Sequence, residues 1–200
     1  MIKYLIILTQ ITTYFVIGIP LKLIYRVKKK YSLEIDPSEK YIIVANHHKR
    51  IDPFLISYSF KFKDYLKLIP LRIITYQKLF DYILLRPFLV ILGCIPTNKS
   101  LNKIHSNHSN SIIPSLNKLI YDNQTIFFFP EGKRIKNDKN IKIKTGASVV
   151  ESFNKNIKII PIKITYTKKR TNIEYKSPFK TKNKLNHNKK SKFIYNKILN

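Results

Sequence analysis

A chain of 200 residues has room for one ordinary domain with short appendages, which excludes a second catalytic domain. Its hydrophobic fraction of 44% and aromatic fraction of 12% exclude a largely disordered basic protein, so most of the chain is expected to pack. The formal net charge of +27 favours phosphate-bearing partners, either nucleic acid or anionic lipid, but a compositional bias toward lysine explains it equally well because the basic residues are spread along the chain.

The first predicted element is an uncharged segment, residues 4–21. As a helix it would extend roughly 27 Å, slightly less than the ~30 Å hydrocarbon core of a bilayer. Polar residues such as Gln10 weaken the apolar run and Pro20 favours a bend, so a helix that lies in one leaflet explains the segment as well as one that spans. No small-residue cleavage site follows, and the segment is expected to stay attached as a membrane anchor or interfacial helix.

Basic residues cluster directly after this segment, against only Lys3 and the terminal amine before it. They are Lys22, Arg26, Lys28, Lys29 and Lys30. The positive-inside rule then places everything after residue 30 on the cytoplasmic face of the plasma (inner) membrane, where the same side chains can bind anionic headgroups. A buried core helix with a solvated basic exit is the alternative interpretation.

A strand, a polar corner and a helix follow in that order. Residues 41–45 are a short apolar, β-branched run that predicts a buried strand, and the run stops at Asn46 and His47. Asp52 and Pro53 predict a helix start, with Asp52 as N-cap and Pro53 at the first helical position.

The rest of the chain continues this alternation. Residues 66–95 predict amphipathic helices against the core or the bilayer, because their apolar run is broken by prolines and dotted with charges. Helical spacing at 112–121 precedes a buried-strand candidate at 125–129, and 157–162 is another. The basic residues 189–199 predict a final surface helix.

These elements indicate an α/β fold with a mixed, partly parallel sheet flanked by helices and a site at the strand ends. We expect three parts: an N-terminal membrane-associated helix with its basic flank in residues 1–30, one catalytic domain in 31–180, and a basic C-terminal tail in 181–200.

Two other candidate sites carry little weight. Cys94, the only cysteine, excludes an internal disulfide, and its apolar neighbours predict a buried and inert thiol. His105 and His108 have metal-like spacing, but their surroundings are rich in Asn and Ser and offer no Cys or nearby carboxylate. The chain contains neither a Gly-x-Ser-x-Gly elbow nor a phosphate-loop signature. We therefore predict no metal, no cofactor and no nucleophilic serine.

The predicted corner brings a histidine and a carboxylate within reach of each other. His47 and Asp52 are five residues apart and would face different ways on one helix, so they can meet only across a bend. A carboxylate that accepts the imidazole N–H fixes the tautomer and prepares the other ring nitrogen for general-base catalysis. The spacing by itself is equally consistent with an N-cap and a polar loop residue.

The order of several blocks gives this pair more weight, because the chain resembles the glycerolipid acyltransferases typified by 1-acylglycerol-3-phosphate acyltransferase over about residues 40–166. The matching blocks are Asn46-His47-x4-Asp52, Gly93-x-Ile95-x3-Lys99, Phe129-Pro130-Glu131-Gly132-x-Arg134, Lys144-x-Gly146-Ala147 and Ile159-Ile160-Pro161-Ile162.

This resemblance implies a role for each main residue. His47 would deprotonate the acceptor hydroxyl for direct attack on a thioester carbonyl, Asp52 would orient the imidazole, and no acyl-enzyme would form. Glu131, Gly132 and Arg134 would hold the glycerol phosphate, since Arg offers two donors to phosphate and Gly allows close approach of the backbone.

Three departures from the family pattern bear on the acceptor rather than on the chemistry. Lys49 replaces a common Ser, Lys133 and Ile135 flank Arg134 where Thr and Ser are frequent, and Lys99 replaces an Arg whose charge it keeps without the forked geometry.

The expected function is transfer of a fatty acyl group from acyl-CoA or acyl carrier protein to 1-acylglycerol 3-phosphate, which gives phosphatidate in phospholipid synthesis. The partners would be membrane phospholipids, the acyl donor and the lysophospholipid acceptor, with no specific nucleic acid. Glycerol 3-phosphate or another lysolipid is the alternative acceptor. From a different class, a non-catalytic protein that binds anionic lipid or nucleic acid would also use the positive charge.

Overall fold

The structure is a computed structural model that describes residues 2–97, 112–135, 141–154, 156–181 and 186–200. Its strands are β1 (Val27–Tyr31), β2 (Lys40–Ala45), β3 (Leu71–Tyr76), β4 (Cys94–Thr97), β5 (Thr125–Phe128), β6 (Ile157–Tyr166) and β7 (Thr171–Tyr175). Its helices are α1 (Ile2–Val16), α2 (Gly18–Ile24), α3 (Asp52–Ser59), α4 (Phe62–Leu68), α5 (Leu85–Ile91), α6 (Ile113–Tyr121), α7 (Gly146–Ser152) and α8 (His187–Leu199). A 3-10 helix, Gln77–Phe80, follows β3.

The strands form one mixed, mostly parallel sheet in the order β1-β7-β6-β2-β5-β3-β4, as predicted. The strands β6, β2, β5, β3 and β4 run parallel to one another, whereas β7 is antiparallel to β6 and β1 is parallel to β7. The carboxyl ends of the five parallel strands therefore lie at the same edge as the starts of β1 and β7. We call it the carboxyl edge.

Most predicted elements are confirmed, and one region differs. The strands predicted at 41–45, 125–129 and 157–162 are β2, β5 and β6, and both later helices are present as α6 and α8. The prediction that 66–95 forms only amphipathic helices is wrong, because this region also contributes β3 and the start of β4. In β3, Leu71 and Ile73 are buried while the alternating side chains are half-exposed, and β4 is a short edge strand, so neither gives an apolar run.

Alternating strand residues supply two cores, one on each face of the sheet. Ile43 and Phe127 belong to the core that α1, α3, α4 and α5 cover. Ile42 and Ile126, one position away, belong to the core under α6, α7 and α8. This period of two is what a sheet covered on both faces requires.

The two N-terminal helices lie against the first of these cores. The Gln10 side chain donates to the carbonyl oxygens of Leu71 and Leu92 and accepts from Leu71 N, and the Tyr14 hydroxyl donates to Phe60 O. Outward-facing residues of both helices are apolar and exposed. By length and composition, Ile2–Ile24 is apolar enough to cross a membrane, with a mean hydropathy of 1.7. One face of these two helices thus packs on the domain, and their exposed apolar face fits membrane association.

The basic C-terminal helix is packed into the domain. Ile194 and Ile198 of α8 are buried in the second core. Lys190 is also buried, and its ammonium donates to Glu151 Oε2 and Ser152 Oγ of α7, each at 2.8 Å. Because an unpaired buried charge is costly, this ion pair fixes α8 against α7.

Candidate active site

Two loops meet at the carboxyl edge because the strands before them are neighbours. β2 and β5 are adjacent and parallel, so the loop after Ala45 and the loop after Phe128 leave the sheet side by side. Backbone and side-chain hydrogen bonds then join the loops at His47. Its N–H donates to Glu131 Oε1 at 3.3 Å, and its carbonyl accepts from Ile135 N at 2.7 Å. The structure thus brings residues of two distant blocks together around one histidine.

The His47 imidazole is held on two sides. Its Nδ1 lies 3.0 Å from Asp52 Oδ2, and its ring stacks on Phe129 with 4.2 Å between ring centroids. The side chain retains 17% exposure, whereas the Asp52 side chain is fully buried. No residue in the described ranges forms a hydrogen bond with His47 Nε2. The ring is therefore fixed in place with one nitrogen available to another molecule.

Asp52 binds the loop that precedes its helix. Oδ2 also accepts from the backbone amides of His48 and Lys49, at 2.5 and 2.8 Å, and Oδ1 accepts from the Tyr166 hydroxyl. The prediction that Asp52 is the N-cap is wrong: Ile51 precedes the first helical residue, and no side chain caps α3. The carboxylate faces backward because the backbone N–H donors that it binds lie in the loop. Pro53 is the second residue of α3, one position later than predicted, and still lies in the first turn.

The hydrogen bonds at Asp52 also keep it charged. Burial by itself would raise the pKa of this carboxyl. The bonds from His47, Tyr166 and the two backbone amides outweigh burial and hold the pKa below its ordinary value. Asp52 is therefore an anion that directs its negative charge at the imidazole.

Asn46 connects the same loop to β6. Its side-chain amide donates to Ile164 O at 2.9 Å and accepts from Ile164 N at 2.7 Å, so it pairs with the strand as a backbone would. Its Nδ2 also lies 2.8 Å from His48 Nε2. Asn46 thus fixes where the chain leaves β2, and thereby the position of His47.

Glu131 is a buried carboxyl next to the dyad. Burial raises its pKa to about 7, and the nearby Asp52 carboxylate acts in the same direction. The His47 amide and the Tyr195 hydroxyl of α8 partly offset this effect, although Oε2 itself forms no hydrogen bond within the described part of the chain. An acid of this kind exists in both protonation states near neutral pH.

Three of the other predicted residues lie on the same loop as Glu131, after β5. Gly132 has a φ of +64° in the turn after Glu131, where a Cβ would also meet the Lys144 side chain at 3.1 Å. Arg134 is exposed on the same loop. Pro130 is buried beneath it and accepts from Lys144 N at 2.7 Å.

Two further predicted residues, Gly146 and Pro161, lie away from the dyad, and a third lies outside the described residues. Gly146 begins α7, where an added Cβ would meet the Phe128 ring at 3.4 Å. Pro161 lies within β6 opposite Val44 and accepts from Lys176 N. Lys99 lies outside the described residues, as do His105 and His108.

Sequence reasoning missed two tyrosines that act on the site. Tyr166 ends β6 and Tyr195 lies on α8, far along the chain from the acidic groups that they approach. The strand predicted at 157–162 stops short of Tyr166, and nothing in the local pattern shows that β6 runs beside β2. Cys94 is buried, as predicted, and burial raises the pKa of its thiol. No group of three or more potential metal-ligating side chains occurs among the residues described.

The fold is α/β, and at the carboxyl edge of its mostly parallel sheet a buried carboxylate holds a partly exposed histidine. Such a pair suits general-base chemistry. The sequence profile of the Acyltransferase family matches residues 26–165, which is most of the chain. The protein therefore belongs to this family and is an acyltransferase.

Its fold is shared with a solved acyltransferase structure. The crystal structure of the 1-acyl-sn-glycerophosphate (LPA) acyltransferase PlsC from Thermotoga maritima is similar, with a TM-score of 0.66 and 15% sequence identity. The similarity covers 94% of this chain and 76% of that chain. No curated protein matches the sequence at a significant level.

Proposed function

We propose that this acyltransferase moves a fatty acyl group from acyl-CoA or acyl carrier protein to the free hydroxyl of 1-acylglycerol 3-phosphate, giving phosphatidate. The observation that carries the proposal is the state of His47, which Asp52 holds through Nδ1 while Nε2 stays available to a substrate. The order of the sequence blocks and the fold shared with the Thermotoga protein support this acceptor.

In the proposed reaction His47 acts as a general base. Nε2 takes the proton of the acceptor hydroxyl as the hydroxyl oxygen attacks the carbonyl carbon of the thioester. The new C–O bond forms, the C–S bond breaks, and the imidazolium returns its proton to the departing thiolate. The Asp52 carboxylate stabilises the imidazolium between these steps, and its low pKa keeps it charged. No covalent acyl-enzyme is required.

The second loop supplies groups suited to a glycerol phosphate. Glu131 Oε2 is buried and without a hydrogen-bond partner in the described ranges, which suits it to accept from a substrate hydroxyl. Arg134 is exposed a few residues away and offers paired donors to phosphate. The positive φ of Gly132 allows the backbone to approach a ligand closely. Lys99 is proposed as a further phosphate ligand.

The proposed setting is the cytoplasmic face of the plasma (inner) membrane. The end of α2 lies beside the catalytic loop, because the Lys49 ammonium is 3.9 Å from the Tyr166 ring centroid and 5.9 Å from that of Tyr25. Leu23 and Ile24, at the same helix end, are exposed. An apolar helix end next to His47 would let a lipid acceptor reach the base without leaving the membrane surface.

The acceptor can be tested by genetic complementation and by a substrate panel. Expression in a strain that lacks its own lysophosphatidate acyltransferase should restore growth, and His47→Ala should not. Membranes that bear the wild type should acylate lysophosphatidate faster than glycerol 3-phosphate or other lysolipids, with acyl-CoA and acyl carrier protein compared as donors. Preference for glycerol 3-phosphate or another lysolipid would reassign the acceptor, and equal activity of His47→Ala would overturn the mechanism.

A further inference from the structure

The segment that runs from the end of the 3-10 helix into the first turn of α5 displays apolar side chains to solvent. Ile83 and Leu84 are each 83% exposed, Tyr82 is 65% exposed and Phe88 is 60% exposed. The 3-10 helix and α5 on either side are anchored, because Phe80 and Leu89 are buried in the first core. We call residues 82–88 the apolar tip. It is a fixed projection of the fold rather than a frayed end.

The apolar tip extends from the edge that carries the active site. β3 runs parallel to β5, which runs parallel to β2, so all three strands end at the carboxyl edge. The chain then passes through the 3-10 helix to the tip, and α5 returns along the face of the sheet. The tip and the end of α2 therefore stand on the two sides of His47, since β1 and β4 are the outermost strands.

The tip is also continuous with the N-terminal helices. α5 packs against α1, and the Gln10 side chain donates to Leu92 O just after α5 ends. The exposed side chains of α1 next to this contact, such as Leu5 and Leu8, are apolar as well. Elements on the opposite face of the sheet expose few large apolar groups, Phe153 of the α7 end among them. The apolar surface is thus concentrated on one side of the domain.

Charges at the margin of the tip favour a bilayer as its partner. Lys78 lies just before the tip and Arg86 lies within it, both exposed, with Asp81 as the neighbouring acid. Apolar side chains bordered by cations match a leaflet, in which acyl chains lie beneath anionic headgroups. The chain as a whole has a formal net charge of +27, which opposes association of two copies.

We infer that the apolar tip inserts Ile83 and Leu84 into the acyl-chain region of an anionic leaflet, as a second membrane contact across the active site from α2. Two contacts on opposite sides of His47 hold the carboxyl edge against the membrane, where one contact would leave it free to tilt. The inference rests on the proposed function in so far as the acceptor is a lipid.

The absence of tryptophan from the chain permits a direct test. Leu84→Trp places a single fluorophore on the tip, and Phe153→Trp places one at a site of 63% exposure on the opposite face. Each protein is bound to vesicles of equal parts phosphatidylcholine and phosphatidylglycerol, with or without bromine on the acyl chains. We expect Leu84→Trp emission to shift to the blue and to be quenched by bromine, and Phe153→Trp emission to do neither. Unshifted, unquenched emission from vesicle-bound Leu84→Trp would overturn the inference, as would a concentration-dependent blue shift without vesicles.

A second experiment links the contact to catalysis. The double variant Ile83→Glu, Leu84→Glu should bind these vesicles about tenfold less tightly or worse, whereas the control Phe153→Glu should bind as the wild type does. The ratio of acyl transfer with vesicle-embedded acceptor to that with detergent-dispersed acceptor should fall in the double variant alone. Unchanged binding and an unchanged ratio would overturn the inference. If Leu84→Trp enters the bilayer but no protein transfers acyl groups, the proposed function fails while the membrane contact stands.

Discussion

Replacement of Asp52 by asparagine removes the charge of this side chain and keeps its shape. An amide oxygen at the position of Oδ2 still accepts from His47 Nδ1 and from the amides of His48 and Lys49. The amide NH2 then faces the Tyr166 hydroxyl oxygen, which can accept from it. We therefore expect Asp52→Asn to fold, with a free energy of unfolding within about 2 kcal/mol of the wild type.

The loss of activity in the same variant should be far larger than the loss of stability. The asparagine cannot stabilise the imidazolium that forms as His47 takes the acceptor proton. Replacement of the corresponding carboxylate in the serine-protease triad lowers kcat about 10⁴-fold. We expect a fall of about 10³- to 10⁴-fold here, which corresponds to about 4 to 5 kcal/mol of transition-state stabilisation. The measurement is the initial rate of acyl transfer to lysophosphatidate by purified protein.

Asp52→Ala is the matched comparison. It removes the acceptor of the His48 and Lys49 amides and of the Tyr166 hydroxyl, and each buried donor left without a partner costs about 1 to 3 kcal/mol. We expect the free energy of unfolding in urea to fall by about 3 kcal/mol or more, and activity to fall as in Asp52→Asn. Asp52→Asn within tenfold of wild-type activity, or as unstable as Asp52→Ala, would refute this reasoning.

Three further predictions concern neighbouring groups. Tyr166→Phe removes a donor to a charged carboxylate, so kcat should fall about tenfold with KM little changed, and an unchanged kcat would exclude a positioning role. Because burial raises the Glu131 pKa from 4.5 to about 7, its contribution to stability is complete below about pH 4.5 and is lost by about pH 7. Between pH 5 and 8 the wild type should lose about 3 kcal/mol more unfolding free energy than Glu131→Gln, and equal losses would contradict this. Lys190→Ala leaves Glu151 charged and buried, so the free energy of unfolding in urea should fall by about 3 to 5 kcal/mol. Adding Glu151→Gln to the same chain should restore part of it. A fall below about 1 kcal/mol in Lys190→Ala would contradict this prediction.

Local sequence could predict the strand, corner and helix that carry His47, because each is built from neighbouring residues. The apolar run of β2 and the Asp52-Pro53 start of α3 are both readable in one short window. The direction of the Asp52 carboxylate was not readable there. It depends on the backbone N–H donors of His48 and Lys49, which the loop turns toward the carboxylate and which helix-start preferences do not describe.

Features that depend on sheet neighbours lay beyond local reasoning. β3 was hidden because Arg72 interrupts its apolar residues, and its strand character comes from pairing with β5 and β4. Tyr166 reaches Asp52 only because β6 and β2 are adjacent. In the same way, the buried Lys190 of α8 resembles any other lysine of a basic tail until Glu151 of α7 is placed beside it.

We propose His47 as the base for acyl transfer to a glycerolipid hydroxyl. The most direct test is the initial rate of transfer of a labelled acyl group to lysophosphatidate by detergent-purified wild type and His47→Ala. His187→Ala is the control, because this histidine is exposed at the start of α8. We predict a fall of at least about 10³-fold in His47→Ala, with unfolding in urea little changed, and wild-type rates in the control. A His47→Ala rate within tenfold of the wild type would contradict the claim.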